Sequence, residues 1–426
     1  MKKLVIIMCA ILLLCTGCAE KRNLEKDKIV AINATSYFKD RKDSDFYVLL
    51  DVNTKSNLTT EQLSLEFDDI IKIYGTPLEY DSEEVYAIEN GGNAIVGVPV
   101  LFESGWMDLT YTINSTSSVI DFKITSSDKL DENGYNETQF GYKTESGEGK
   151  FVFTNTNGNE LSPLVIFVHD QEYLDKNSTV GVHKVFRDLA YALADKGVAS
   201  VRYDRTNLDN NDVEDSIDLM QEELLAVYNS CKSLDGIDSE RIYILGYGIG
   251  GYLLPQLVDG LNIDGMIIAS APCMNLHQSI YEKQMYEVEC EATMLEQNKK
   301  VRRREIEAAR DLIETLVNPE DFYQDIFGYS SSFWIALQSY NAVSTVETLQ
   351  IPTLITQGSN DYHVSSNAYN EWQHGLKGSS FVSLKYYKNM DHLFTIRNST
   401  SVPSDILSES EIAEVFVTDI VNFVQK

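Results

Sequence analysis

Positive charge is what this sequence has least of for its size. Its 426 residues carry 35 Lys and Arg against 65 Asp and Glu, a formal net charge of −30. So acidic a folded surface repels phosphate backbones and anionic head groups, which excludes nucleic acid as a partner and a membrane held by surface charge. The plainer consequence of the charge is solubility with little non-specific adhesion. Proline is scarce at 8 residues, no low-complexity tract interrupts the chain, and no repeat recurs at solenoid or propeller period. What remains is a globular chain, 43% hydrophobic and 10% aromatic, long enough for two domains and a sizeable core. Metal-ligand patterns are missing too. No two of the 6 His and their acidic neighbours show ligand spacing, and the 6 Cys include no CxxC pair. Neither a metal nor a cofactor is expected.

The N-terminal stretch differs in kind. Lys2 and Lys3 precede an unbroken apolar run from Leu4 to Leu14, and Thr16-Gly17 then stand before Cys18. This is the pattern of a secretory signal, too short to span a bilayer stably by itself. It resembles a bacterial lipoprotein signal, with Cys15 where a Leu is usual. The resemblance implies a signal peptide over residues 1–17 and a mature chain beginning at a lipid-modified Cys18. The protein would then be secreted, extracytoplasmic, and anchored to the bacterial cell membrane by its lipid alone, with residues 18–28 as a charged tether. Cys9 and Cys15 leave with the signal, and Cys231, Cys273 and Cys290 remain as an odd set. They read as buried, inert thiols rather than a disulfide framework.

Residues 29–125 form a first unit. Ile29 to Phe38 and Thr60 to Tyr74 have helical periodicity, and Gly75-Thr76-Pro77 stops the second helix. The period then changes to two, at Met107, Leu109, Tyr111 and Ile113 and again at Ile120, Phe122 and Ile124. Helices followed by strands predict a small α+β domain with an antiparallel sheet. The segment resembles, weakly, the cystatin-like or nuclear-transport-factor-like domains that precede hydrolase domains in some bacterial lipoproteins. With no chemistry of its own, it reads as a spacer or a module for a protein partner.

Polar, turn-rich residues 126–136 separate this unit from a second, 137–426. Gly149 to Thr154 and Leu161 to Val168 look like strands around an Asn157-Gly158 turn, after which strands and helices alternate. Leu164 to Val168, Val198 to Tyr203, Ile242 to Leu245 and Met266 to Ala269 are strands. Helices are expected at His183 to Asp195, Ile217 to Cys231 and Gly250 to Leu261. That order predicts an α/β fold, a doubly wound and mostly parallel sheet with its ligand site beyond the carboxyl ends of the strands. The alternation stops at about 275–349, a charged helical stretch and then an aromatic-rich one, which reads as a helical cap over the mouth. The basic triplet Arg302-Arg303-Arg304 within it reads as a solvated face. Strands at Ile351 to Gly358 and Val382 to Tyr387 and a helix from about Ser410 to Val424 complete the chain.

The densest motif is Arg241-Ile242-Tyr243-Ile244-Leu245-Gly246-Tyr247-Gly248-Ile249-Gly250-Gly251. Strand, glycine turn and helix follow in the layout of a nucleophile elbow, G-x-S-x-G, with Gly246 and Gly250 at the flanking positions. Gly248 stands where the serine should be. Past later strands lie Gly358-Ser359-Asn360-Asp361 and Asp391-His392-Leu393-Phe394. With Phe186-Arg187-Asp188-Leu189-Ala190 and Ser332-Phe333-Trp334, these segments resemble the bacterial esterase branch of the α/β-hydrolase superfamily over residues 137–426.

The resemblance implies a chain order of nucleophile position Gly248, acid Asp361 and histidine His392, the last as general base and then acid. Asp391 is the runner-up acid, although adjacency to His392 in sequence places it poorly. His363 reads as a loop residue. The two oxyanion N–H groups would come from Ile249 and from the loop His169-Asp170-Gln171, where the family usually has Gly in place of Asp170. Asp170 and Gln171 are thus the other oxyanion or substrate-binding candidates. Asp170 restricts the backbone and brings a carboxylate toward developing negative charge, and Gly248 removes the attacking oxygen. In a serine triad dissected by deletion, losing the serine lowers turnover about a million-fold. Both departures disarm one site. The expectation is an esterase-like pseudoenzyme that keeps a capped pocket for a small ester or acyl ligand or a protein partner. The alternative is an active carboxylic-ester or related hydrolase using His392 and Asp361 with water or an off-elbow nucleophile. Ser270 and Cys273, just past a strand, are weak candidates for that nucleophile.

Overall fold

In the computed structural model, residues 22–425 are described apart from 104, 128, 130–133, 157–159, 173, 207–215, 274 and 319–324. The signal segment, Cys18 and the Asn157-Gly158 turn lie outside the described residues. Helix α1 (Leu24–Lys39) starts five residues ahead of the expected Ile29 and takes in the second half of the expected tether. Arg22 explains the early start. Its guanidinium pairs with Asp27 at 2.7 Å and donates to the carbonyls of Gly92, Ile113 and Asn114, so the chain is already held there.

The described chain divides into two compact units. One holds residues up to Phe67 with Glu79–Val100 and Asp108–Ile124; the other holds Asp68–Leu78, Leu101–Met107 and Thr125–Lys426. Helices α2 (Asp43–Leu49), α3 (Val52–Asn57) and α4 (Thr60–Tyr74) follow α1. Then come β1 (Pro77–Tyr80), β2 (Tyr86–Asn90), β3 (Asn93–Phe102), β4 (Gly105–Ile113) and β5 (Val119–Ser126), in the sheet order β1-β3-β4-β5 with β2 antiparallel on β3. Phe38, Phe46, Phe67 and Phe122 meet edge to face at the centre of the first unit, with centroids 4.9–5.7 Å apart. Such pairs add about 0.5–1.5 kcal/mol each to their burial.

The second unit begins with β6 (Asn136–Lys143), β7 (Glu148–Asn155) and β8 (Ser162–Val168). A two-residue ribbon, β9 (Thr179–Val180) with β10 (His183–Lys184), leads into α5 (Val185–Ala194), β11 (Ala199–Tyr203) and α6 (Ile217–Cys231). The elbow region is β12 (Ile237–Tyr247) and α7 (Ile249–Leu257), followed by β13 (Gly265–Ala269). The cap segment holds α8 (Leu276–Cys290), α9 (Glu296–Thr315), α10 (Ser331–Leu337) and α11 (Ala342–Leu349). The chain closes with β14 (Thr353–Gly358), α12 (Ser366–Gly375), β15 (Val382–Tyr387) and α13 (Glu414–Val424).

The eight strands lie in the order β15-β14-β13-β12-β8-β11-β7-β6. From β11 to β15 every pairing is parallel, whereas β7 is antiparallel to both β11 and β6. Every residue of β8 is buried, because alternate side chains enter different cores. Leu164, Ile166 and Val168 pack with α6 and α7; Val165 and Phe167 pack with α5 and α13. β7 and β8 do not form the local pair their sequence proximity suggests: β11 lies between them. The chain leaves β8 toward β11 on one side, and β12 lies on the other, which puts a crevice beyond the carboxyl ends of β8 and β12.

Candidate functional site

Gly248 caps β12 and opens α7. Its backbone sits at φ 55°, ψ −121°, a region that strains residues with a Cβ, and its N–H donates to Ala269 at 3.0 Å. Gly250 is required for another reason: a Cβ there would lie 2.0 Å from the carbonyl oxygen of His169. The α7 N-terminus can therefore press directly against the loop after β8.

That loop carries Asp170, whose carboxylate takes the place of an elbow side chain. A Cβ built on Gly248 would fall 2.3 Å from Asp170 Oδ2, 2.4 Å from Cγ and 2.9 Å from Oδ1. Oδ1 accepts the Ile249 N–H at 3.3 Å, which is the oxyanion donor expected from the sequence. Oδ2 lies 3.2 Å from His392 Nε2.

His392 follows β15, and its other ring nitrogen, Nδ1, lies 2.9 Å from Asp361 Oδ2. Asp361, after β14, is held by the Gln357 amide at 3.1 Å and the Val364 N–H at 3.0 Å. A neutral imidazole has one N–H and cannot donate to two carboxylates; the imidazolium can. Burial pulls the His392 pKa down, but Asp361 and Asp170 more than offset it and raise it to about 10. His392 is thus held charged at neutral pH. Tyr247 covers one side of its ring at 4.8 Å, and His363 stacks on it at 4.2 Å and 8°. Burial, then the charges of His392 and Lys283, push the His363 pKa well below the usual range, so His363 stays neutral.

Asp170, Gly248, Ile249, His363 and His392 line a small cleft together with Leu276, Ile280 and Lys283 of α8. Lys283 Nζ grips both carboxylate oxygens of Glu172 and lies 3.9 Å from Glu287. This contact ties the cap helix to the loop that bears Asp170. Replacing Lys283 with Gln should raise amide exchange along α8 about tenfold, the scale of one part-buried ion pair. Unchanged protection would show that apolar contacts alone hold α8 down.

The structure brings Gly248, Ile249, Asp170, Asp361 and His392 together. It does not bring in Gln171, whose amide is bonded to the His169 carbonyl at 3.4 Å and to Arg205 at 2.7 Å, away from the cleft lining. Asp391 is occupied by Thr395 and Arg397 and is not the partner of His392. Ser270 and Cys273 are buried and do not line the cleft, and burial pushes the Cys273 thiol pKa up. His363, Glu172 and Lys283 are the site residues that sequence reasoning missed. Among the described residues no group of His, Cys, Asp and Glu could hold a metal ion.

An elbow after β12, an acid after β14 and a histidine after β15, on a mostly parallel sheet, decide the architecture. The chain has the α/β-hydrolase fold. A curated relative of this chain is the esterase EstD of Thermotoga maritima, 23% identical over 269 residues. The match covers 62% of the chain and spans 62% of that relative's length. Among solved structures, Est1E from Butyrivibrio proteoclasticus matches with a TM-score of 0.43 and 16% identity, over 68% of this chain and 99% of that one. The Pyrococcus furiosus esterase Pf2001 matches with a TM-score of 0.43 and 12% identity, over 68% and 91%. No protein-family model matches the chain.

Proposed function

We propose that this α/β hydrolase is an esterase-like protein in which serine-dependent acyl transfer has been lost, and that its cleft binds a small ester or acyl ligand. The observation that carries this is the Asp170 carboxylate, seated within 2.3 Å of where a side chain at Gly248 would begin. Together with Gly248 it disables three parts of acyl transfer at once. No nucleophile extends from the elbow, the Ile249 N–H is already taken, and His392 is held as an imidazolium that cannot accept a proton. Leu276, Ile280 and Val364 supply the apolar wall against which a short acyl or alkyl group can lie.

The purified protein should hydrolyse p-nitrophenyl acetate and butyrate no faster than its His392→Ala variant, and a fluorophosphonate probe should leave it unlabelled. A rate that disappears on His392→Ala, or a phosphonate adduct on any serine, would overturn the proposal.

A further inference from the structure

His363 has no part in holding the chain Asp361–His392–Asp170, yet its ring lies on His392 at 4.2 Å with 8° between the planes. The side chain lines the cleft, half-buried, and no hydrogen bond to another described residue fixes it. Its neighbour Tyr362 reaches the cap. That ring stacks on Tyr286 of α8 at 5.2 Å and 25°, and its hydroxyl donates to Glu287 of the same helix at 3.5 Å. We propose that His363 is a proton switch for the cap. In mildly acidic solution it takes up a proton, leaves the face of His392, draws Tyr362 away from α8 and so opens the cleft.

The stack requires that one ring be neutral. His392 donates to Asp361 and Asp170 together, so it is the imidazolium, and His363 is the imidazole. A second proton would set two like charges face to face where little water can screen them. The other charged groups facing His363 offer no free counter-charge. Asp361 and Asp170 are bonded to His392, Glu172 is gripped by Lys283, and Lys283 adds a further positive charge. Glu287 lies beyond Tyr362 and is shared between that hydroxyl and Lys283. Leu276, Ile280 and Val364 contribute no charge to the lining. Outside the stack none of these restraints applies, and a solvated histidine takes up a proton near pH 6.5.

The closed cap holds His363 neutral, by burial and by the charges of His392 and Lys283, while the open cap frees it to titrate. The open form therefore binds more protons, and falling pH favours it. With an ordinary histidine in the open form, the ratio of open to closed rises about 30-fold between pH 7.5 and pH 5.0. His392 stays charged across that range, held by its two carboxylates. Glu287, whose carboxyl pKa is raised by burial, also gains protons as pH falls, so its effect has to be separated from that of His363. The switch acts on entry to the cleft and does not depend on which ligand the cleft takes.

Hydrogen exchange on the full chain tests this, read as protection factors so that the pH dependence of intrinsic exchange cancels. Between pH 7.5 and pH 5.0 the protection of α8 should fall about 30-fold in the wild type. His363→Phe keeps a stacking ring that cannot take a proton, and its α8 protection should be equal at both pH values. His363→Gln should likewise show no fall, whereas Glu287→Gln should retain it. Strand β12, at the centre of the sheet, reports opening of the whole chain, and circular dichroism reports folding of each variant. Where the His363 variants fail to fold, NMR of ring-labelled histidine in the wild type decides. His392 should give an imidazolium signal throughout, and His363 should be neutral at pH 7.5 and gain its proton as α8 loses protection. No fall in the wild type, an equal fall in the His363 variants or in β12, loss of the fall in Glu287→Gln, or a neutral His392 at pH 7.5 would overturn the inference.

Discussion

The double variant Gly248→Ser/Asp170→Gly is expected to hydrolyse p-nitrophenyl acetate at least about 100-fold faster than Gly248→Ser alone. The single variant restores a hydroxyl but not a site for it. Serine at 248 inherits φ 55°, ψ −121°, a strain of about 1–3 kcal/mol. Its Cβ would also overlap the carboxylate of Asp170, so one of the two must move. Even after moving, Asp170 keeps a negative charge beside the place where the tetrahedral oxyanion must form. Asp170→Gly removes the overlap, frees the Ile249 N–H and leaves His392 with Asp361 as its one carboxylate partner. One oxyanion donor is worth about 100- to 1000-fold, and a neutral histidine adds to that. Asp170→Gly alone should stay inactive on esters, since it supplies no nucleophile. Steady-state rates of the three variants at one pH decide the matter. Equal rates for the single and double variants would show Asp170 to be harmless.

How far the sequence could be read depends on how local the cause was. The parallel sheet was legible because β8, β11, β12 and β13 are short apolar runs separated by helical periods, and burial on both faces demands that composition. The elbow was legible because Gly246, Gly248 and Gly250 answer to backbone sterics within one turn. The misreadings have longer reach. An Asn-Gly dipeptide suggested that β7 and β8 pair, yet turn chemistry carries no information about β11, which arrives later and takes the place between them. Asp170 could be named as a departure from Gly; that its carboxylate fills the space over Gly248 depends on the side chain's direction. Lys283 lies in the charged stretch read as a cap, where nothing in the sequence singles it out from the other charges. Its partner Glu172 is 111 residues away, and only the fold joins them. His363 had a weak signal, standing two residues after Asp361 in the same loop. The stacking that gives it a role needs His392 to arrive from β15.

Stability should fall between pH 6.5 and 10 by a few kcal/mol, and His392→Gln should abolish most of that fall. In the folded chain His392 titrates at about 10, against 6.5 for the free side chain. Across that window the folded state binds more protons than the unfolded state, so the unfolding free energy drops as pH rises. The contribution is fully present below pH 6.5 and lost as pH passes through about 10. At about 1.4 kcal/mol per unit it amounts to at most about 5 kcal/mol. The groups facing the ring are Asp361, Asp170, Tyr247 and the neutral His363, with Lys283 further out in the cleft lining. Lys283 and the tyrosines titrate high as well, so the decisive quantity is the difference between wild type and variant. Urea titrations at pH 7 and pH 9.5, followed by the fluorescence of the buried Trp334 and Trp372, measure it. Removing His392 leaves two carboxylates facing each other without their cation, so the variant is the less stable protein at pH 7. Its disadvantage should shrink toward pH 9.5, as the wild type loses the proton that joins Asp170 to Asp361. A disadvantage that stays constant would mean that His392 is neutral throughout and shares its single proton with one carboxylate. That result would return to the site the general base that the proposed loss of acyl transfer denies it.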